Sequence, residues 1–301
     1  MGQENEGFSS WHGELKYGRC KGSDKMKKWI KTAVLCLVPI LLYEIIAFLA
    51  AGILWAVLAL PEASGSRVGI WMTANSGLLI TALAGALAAA FFLLFESRIE
   101  KEESLIKNLE KQRKYSFTGR SRFYIIIMAA GAAAFLNSIL NILPFLKEVS
   151  AAYSEGETDL WSGDRVLQLL TVCLAAPAGE EWAFRGFAFR RFREKMNFSF
   201  PLAAILSSLS FGLYHGNLVQ GIYAFFLGLL LCWVKEVYRT TEAPFIFHMA
   251  ANGISLVMTW AGNYFSMENV TMGVVSCICS GCILAVSIRG VSREKEILGK
   301  R

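Results

Sequence analysis

The sequence predicts an all-α polytopic membrane protein of about eight transmembrane helices, with both termini cytosolic. Three observations carry that expectation. The chain is 54% hydrophobic over 301 residues with a mean hydropathy of +0.44, too apolar for an ordinary soluble domain. Its apolar residues fall into blocks of about 20, long enough to cross a bilayer. Its basic residues crowd every second linker, as a chain threading back and forth through a membrane requires.

The blocks lie at about 32–60, 68–95, 123–146, 166–189, 200–214, 218–237, 243–261 and 270–288, the fifth being the shortest. Small residues recur within them, as in 82–90 and 129–134. They let helices approach closely in lipid, where apolar sequestration gives little drive. With the N-terminus inside, seven Lys/Arg precede the first block, eight lie from Arg98 to Arg122 and four lie in 190–195. Lys235, Arg239 and five residues from Arg289 to Arg301 bring the inner total to 26 of 30. Arg67, Lys147 and Arg165 fall in outer loops, and Arg185 lies inside a block. The net charge of +6 is this inner belt; the partner it implies is the bilayer surface, and no nucleic acid is expected.

The expected organisation is a cytosolic polar tail (1–25), a single transmembrane helical domain (26–290, motifs in 166–262) and a cytosolic basic tail (291–301). No apolar signal region opens the chain, and the short linkers with no targeting signal point to a bacterial cell membrane. Linker 96–122 mixes Glu and Lys three or four apart, the pattern of a solvated surface helix. Linker 147–164 is acidic. Of seven cysteines, six lie in blocks. Cys277, Cys279 and Cys282 read as small packing residues rather than metal ligands.

Polar residues of the first three blocks, Glu44, Asn75, Asn137 and Asn141, read as groups that bond neighbouring helices. The second half differs. It places Glu180, Glu181, Arg185, His215, His248 and Asn252 in or at the ends of apolar blocks. A charge near the bilayer centre costs about 3 kcal/mol on insertion scales, so Glu180, Glu181 and Arg185 together need a reason. Glu181 and Arg185 are four apart and share a helix face, which favours an ion pair. Glu180 points about 100° round the helix and has no local partner. Pro177 removes a backbone donor and frees the carbonyl of Cys173. His248 and Asn252 are also four apart. A carboxylate, two imidazoles and an amide converging in a membrane cavity suit hydrolysis. The glutamate can activate water and then protonate the leaving amine. One histidine can hold that water, while the other histidine and the asparagine donate to the oxyanion.

Glu180-Glu181-x-x-x-Arg185, Phe211-x-x-x-His215 and His248-x-x-x-Asn252, each on its own membrane helix, resemble the CAAX-processing and bacteriocin-immunity (CPBP, Abi-like) family of intramembrane endopeptidases. The resemblance covers about residues 120–290. It implies hydrolysis of a peptide bond in a membrane-associated peptide or lipidated protein. By position, Glu180 is the catalytic carboxylate with His215 assisting, His248 and Asn252 form the oxyanion site, and Glu181 with Arg185 supports them. No cofactor is expected. The alternatives are a zinc metalloprotease using Glu180, His215 and His248, a proton-coupled transporter and a non-catalytic scaffold. Counted along straight helices from the inner linkers, Glu180 lies about 15 Å deep, His248 about 10 Å and His215 more than about 20 Å. The three must converge for the chemistry to work.

Overall fold

Inside a bilayer no water is available to the peptide groups, so each apolar segment must close its own backbone hydrogen bonds, and a helix does this. The structure, a computed structural model, describes residues 11–106, 117–143, 163–262 and 270–299, and no strand occurs among them. The acidic linker up to residue 162 and the Asn141 side chain lie outside the described residues.

Helix α1 is Trp11–Leu58, α2 is Arg67–Ala74, α3 is Ser76–Ile106 and α4 is Gly119–Ile142. The rod α5 covers 165–194 in five unbroken segments. Arg165–Gln168, Ala176–Glu181 and Arg190–Glu194 are α-helical, while Leu169–Ala175 and Trp182–Phe189 are wider π turns. Then come α6, Phe200–Tyr214; α7, Leu218–Tyr238; α8, Glu242–Gly262; and α9, Val270–Gly299. The second expected block is two helices. Asn75 leaves helical geometry at φ −117° while its amide bonds the carbonyl of Trp71 and its oxygen accepts from Asp164 N. The boundaries expected at 25/26 and 290/291 fall inside α1 and α9.

Five stretches are long and apolar enough to cross a membrane: Met26–Leu58, Ser76–Arg98, Gly119–Leu140, Leu218–Tyr238 and Val270–Glu294. The other three expected blocks became α5, α6 and α8. Helix α6 has only 15 residues, α5 is interrupted by its π turns, and α8 carries Glu242, His248 and Asn252. Rod α5 packs against α1, α3, α6, α7 and α8, and α9 packs along α4 at the edge. Exposed apolar side chains such as Phe48, Leu94 and Val286 form the lipid-facing surface. Gly85 and Gly179 bring α3 and α5 into backbone contact, since a Cβ on Gly179 would stand 2.7 Å from the Gly85 carbonyl oxygen.

The charged helix ends are tied together by several separate polar contacts. Glu96 of α3 takes Arg190 at 2.8 Å and Arg191 at 2.6 Å from α5. Arg193 reaches Glu236 of α7 at 2.6 Å, and the Tyr238 hydroxyl donates to Glu294 of α9 at 2.6 Å. Arg122 of α4 meets Glu242 of α8 at 2.9 Å. These basic residues are thus also the clasp of the bundle. Replacing Glu96 by Ala removes the carboxylate that Arg190 and Arg191 share at a partly buried joint, leaving Arg190 with Glu194 and Arg191 with the Phe187 carbonyl. We expect it to lower stability by about 2 kcal/mol, read as a fall in the thermal midpoint of detergent-purified protein.

Candidate active site

The site is assembled on α5, and its backbone explains why. Proline lacks an N–H, so an α register would orphan the carbonyl of Cys173, as the sequence predicts. The structure shifts the orphan by one residue. In the π turn Leu169–Ala175 the bonds run five residues back, with Ala176 N–H on Thr171 O. Pro177 then falls opposite Val172, and the Asn252 amide from α8 donates to Val172 O at 2.8 Å. The second π turn is braced the same way, Ser207 of α6 donating to Phe184 O at 3.1 Å. Irregular backbone at membrane depth persists where neighbouring helices satisfy it.

Between these turns stand the two glutamates. Glu181 and Arg185 have fully buried side chains, and Arg185 Nη1 bonds Glu181 Oε1 at 2.9 Å. The same oxygen accepts His248 Nδ1 at 2.8 Å. Arg185 lies over the Phe211 ring, 4.2 Å from its centroid, a cation–π contact strengthened by desolvation. Its Nη2 lies 3.0 Å from where a Cβ on Gly228 would stand, so that glycine of α7 makes its room. Glu180 turns away, and its Oε2 lies 3.7 Å from His248 Nε2. Its side chain keeps 10% of its surface exposed, where Glu181 and Arg185 keep none. Glu180 is the reachable acid of the pair.

A carboxylate accepts, so His248 donates through Nδ1 and turns the Nε2 lone pair toward Glu180. His215 is fixed in the same tautomer by a different partner, its Nδ1 donating to Phe211 O at 2.8 Å. It sits at the C-cap of α6, and Gly216 at φ +70° turns the chain out of the helix. Asn217 then caps α7, its Oδ1 accepting from Gln220 N at 2.7 Å. Both imidazoles meet the Phe211 ring edge-on, with centroids 4.8 Å away for His215 and 5.7 Å for His248. Phe211 is therefore the bridge that draws the two histidines together, despite the unequal depths that straight helices give.

His248 and Asn252 share a face that meets α5: His248 bonds Glu181 and Asn252 bonds the Val172 carbonyl. In its neutral form, His248 has its proton on Nδ1, so Nε2 donates to an oxyanion only once it is protonated. Among the described residues no group of three His, Cys, Asp or Glu side chains is placed to hold a metal ion. Sequence reasoning passed over the hub role of Phe211, although it opens the second motif, and passed over Ser207 and Gly228. Glycine and serine are so common in these helices that neither stands out.

Pro177 and Asn252 form a testable pair. Asn252→Leu removes the donor to Val172 O and should cost about 1–3 kcal/mol in thermal unfolding in detergent. Adding Pro177→Ala returns a backbone N–H and should recover at least half of that loss. Additive losses from the two changes would show that Asn252 is not there for the carbonyl that Pro177 orphans.

Comparison with known proteins agrees with this geometry. Residues 162–254 match a family model described as type II CAAX prenyl endopeptidase Rce1-like, a narrower stretch than the 120–290 expected. A protein of Escherichia coli described as an uncharacterized 24.3 kDa protein is 31% identical over 97 residues. That match spans 31% of this chain and 45% of the relative, so less than half of the relative's length is covered. No solved structure matches the chain. Over the segment that holds Glu180, His215, His248 and Asn252, the chain is thus similar to the Rce1-like type II CAAX prenyl endopeptidases, the same CAAX-processing family that its three motifs resemble.

Proposed function

We propose that the chain is an intramembrane endopeptidase that hydrolyses a peptide bond of a membrane-associated peptide or lipidated protein, in a bacterial cell membrane with both termini cytosolic. The observation that carries this reading is the unequal burial of adjacent acids. Glu181 is sealed between Arg185 and His248, while Glu180 stays 10% exposed beside the His248 lone pair.

The reaction follows from these placements. Glu180 takes a proton from a water molecule, whose oxygen attacks the scissile carbonyl carbon and forms the new C–O bond. His215 Nε2, left as an acceptor, holds the second hydrogen of that water. Negative charge develops on the carbonyl oxygen. His248, carrying a proton on Nε2 and steadied through Nδ1 by Glu181, donates to it. Asn252 has two amide hydrogens, one on Val172 O and one left for the same oxyanion. The C–N bond then breaks, and the proton on Glu180 goes to the leaving amine. Glu181 and Arg185 act through His248 and the helix. The proposed reaction draws its base, its water holder and its oxyanion donors from these side chains alone.

Glu180→Gln preserves shape and removes the base. On an internally quenched peptide with a prenylated C-terminal tail, purified in detergent, it should lower kcat by about 100-fold or more without moving the thermal midpoint. Wild-type turnover by this variant sinks the assignment.

A further inference from the structure

Among the described residues, the buried side-chain atoms left without a hydrogen-bond partner are three atoms of the Glu181–Arg185 ion pair and one hydroxyl, that of Tyr43, which comes from outside the matched segment. Tyr43 of α1 is 2% exposed, and its hydroxyl, whose neighbour inside the fold is the side chain of Tyr214, makes no hydrogen bond of good geometry. An unpaired phenol in a dry interior costs about 1–3 kcal/mol, and phenylalanine would fill the same space without that cost. The ring is held firmly. It lies 4.9 Å from the Tyr214 ring at 60°, and Tyr214 in turn lies 5.4 Å from the His215 ring. The hydroxyl sits against Gly179, the residue before Glu180, 2.9 Å from where a Cβ there would stand. Glycine at 179 therefore leaves the phenol tip beside the reactive acid.

We propose that the Tyr43 hydroxyl is a substrate-binding donor: it gives its hydrogen to a backbone carbonyl oxygen of a peptide bound beside Glu180, so that α1 completes a site whose other residues lie in 162–254. This rests on the peptide-hydrolysing reading above. The chemical reason is general. An extended peptide in a bilayer brings carbonyl groups that water cannot serve, and each must find a donor in the protein. A neutral phenol suits that task, since it offers a donor without adding charge to a site already holding two carboxylates and one guanidinium.

The test compares Tyr43→Phe and Tyr214→Phe with wild type in the full-length chain in detergent. Three quantities are read: the thermal midpoint, turnover of the internally quenched prenylated peptide, and anisotropy of a fluorescent form of that peptide bound to the Glu180→Gln background. Tyr43→Phe should leave the midpoint equal or higher, raise KM and the dissociation constant about five- to tenfold, and hold kcat. A lowered midpoint, or identical losses in Tyr43→Phe and Tyr214→Phe, shows that the hydroxyl serves a partner inside the fold and overturns the proposal. Unchanged KM and binding with active wild-type protein overturns the proposal and leaves the endopeptidase reading standing. A wild-type chain that binds the peptide in a Tyr43-dependent way yet never cleaves it supports the proposal and overturns the reading. A chain that neither binds nor cleaves it overturns both.

Discussion

One carboxylate oxygen organises this molecule. Glu181 Oε1 receives both Arg185 Nη1 at 2.9 Å and His248 Nδ1 at 2.8 Å, with all of its own side chain buried. Removing either partner leaves an uncompensated charge in a low-dielectric interior, which is the costly way to break such a cluster. The bond to His248 ties α8 to α5, and Arg185 over Phe211 ties α6 to the same rod. The histidine tautomer is fixed by the same oxygen. Fold and chemistry therefore share one interaction: the ion pair that makes charge tolerable at this depth also turns an imidazole lone pair toward Glu180.

The irregular backbone of α5 has a complementary part. A straight α-helix would carry 165–194 past its neighbours at a constant pitch. Two π turns change the azimuth at which Glu180, Glu181 and Arg185 leave the rod, one before the acids and one around the arginine. Each wider turn exposes a carbonyl, and each is served by a side chain of another helix, Asn252 for Val172 and Ser207 for Phe184. Asn252 stands one helical turn beyond His248 on α8, so the amide that repairs the backbone and the imidazole that meets the acids approach together. The register of α8 on α5 is set at both points.

Much of the site could be read from spacing because it is built on helices. Four-residue intervals fix a shared face, so Glu181 with Arg185 and His248 with Asn252 were legible, as was the isolation of Glu180. What spacing cannot give is the partner across a helix interface. The i,i+4 rule says that His248 and Asn252 look the same way, and it is silent on whether they face substrate or a carbonyl of α5. The orphaned carbonyl moved from Cys173 to Val172 because hydrogen-bond register is decided by the tertiary contacts around Pro177. Among the eight apolar blocks, five gave helices of spanning length and apolarity. The remaining three, α5, α6 and α8, are the ones that bear Glu180, His215 and His248, and they depart from the simple pattern because polar groups and short helices are what a membrane-embedded site is made of.

The charge count explains why Glu180 stays ready. Glu180 and Glu181 bring two negative charges and Arg185 one positive, so one added proton makes the cluster neutral, the state a desolvated site tolerates best. That proton has two homes that face each other, Glu180 Oε2 and His248 Nε2 at 3.7 Å. A closer approach of about 0.7 Å brings them to hydrogen-bond length. In the proposed reaction, the proton on His248 leaves Glu180 as a base with the imidazolium as an oxyanion donor, and the proton on Glu180 readies the acid for a leaving amine. The Glu181–Arg185 pair lies sealed beside both, and Glu180 is the one of the two adjacent acids that keeps any side-chain surface open to what enters the site.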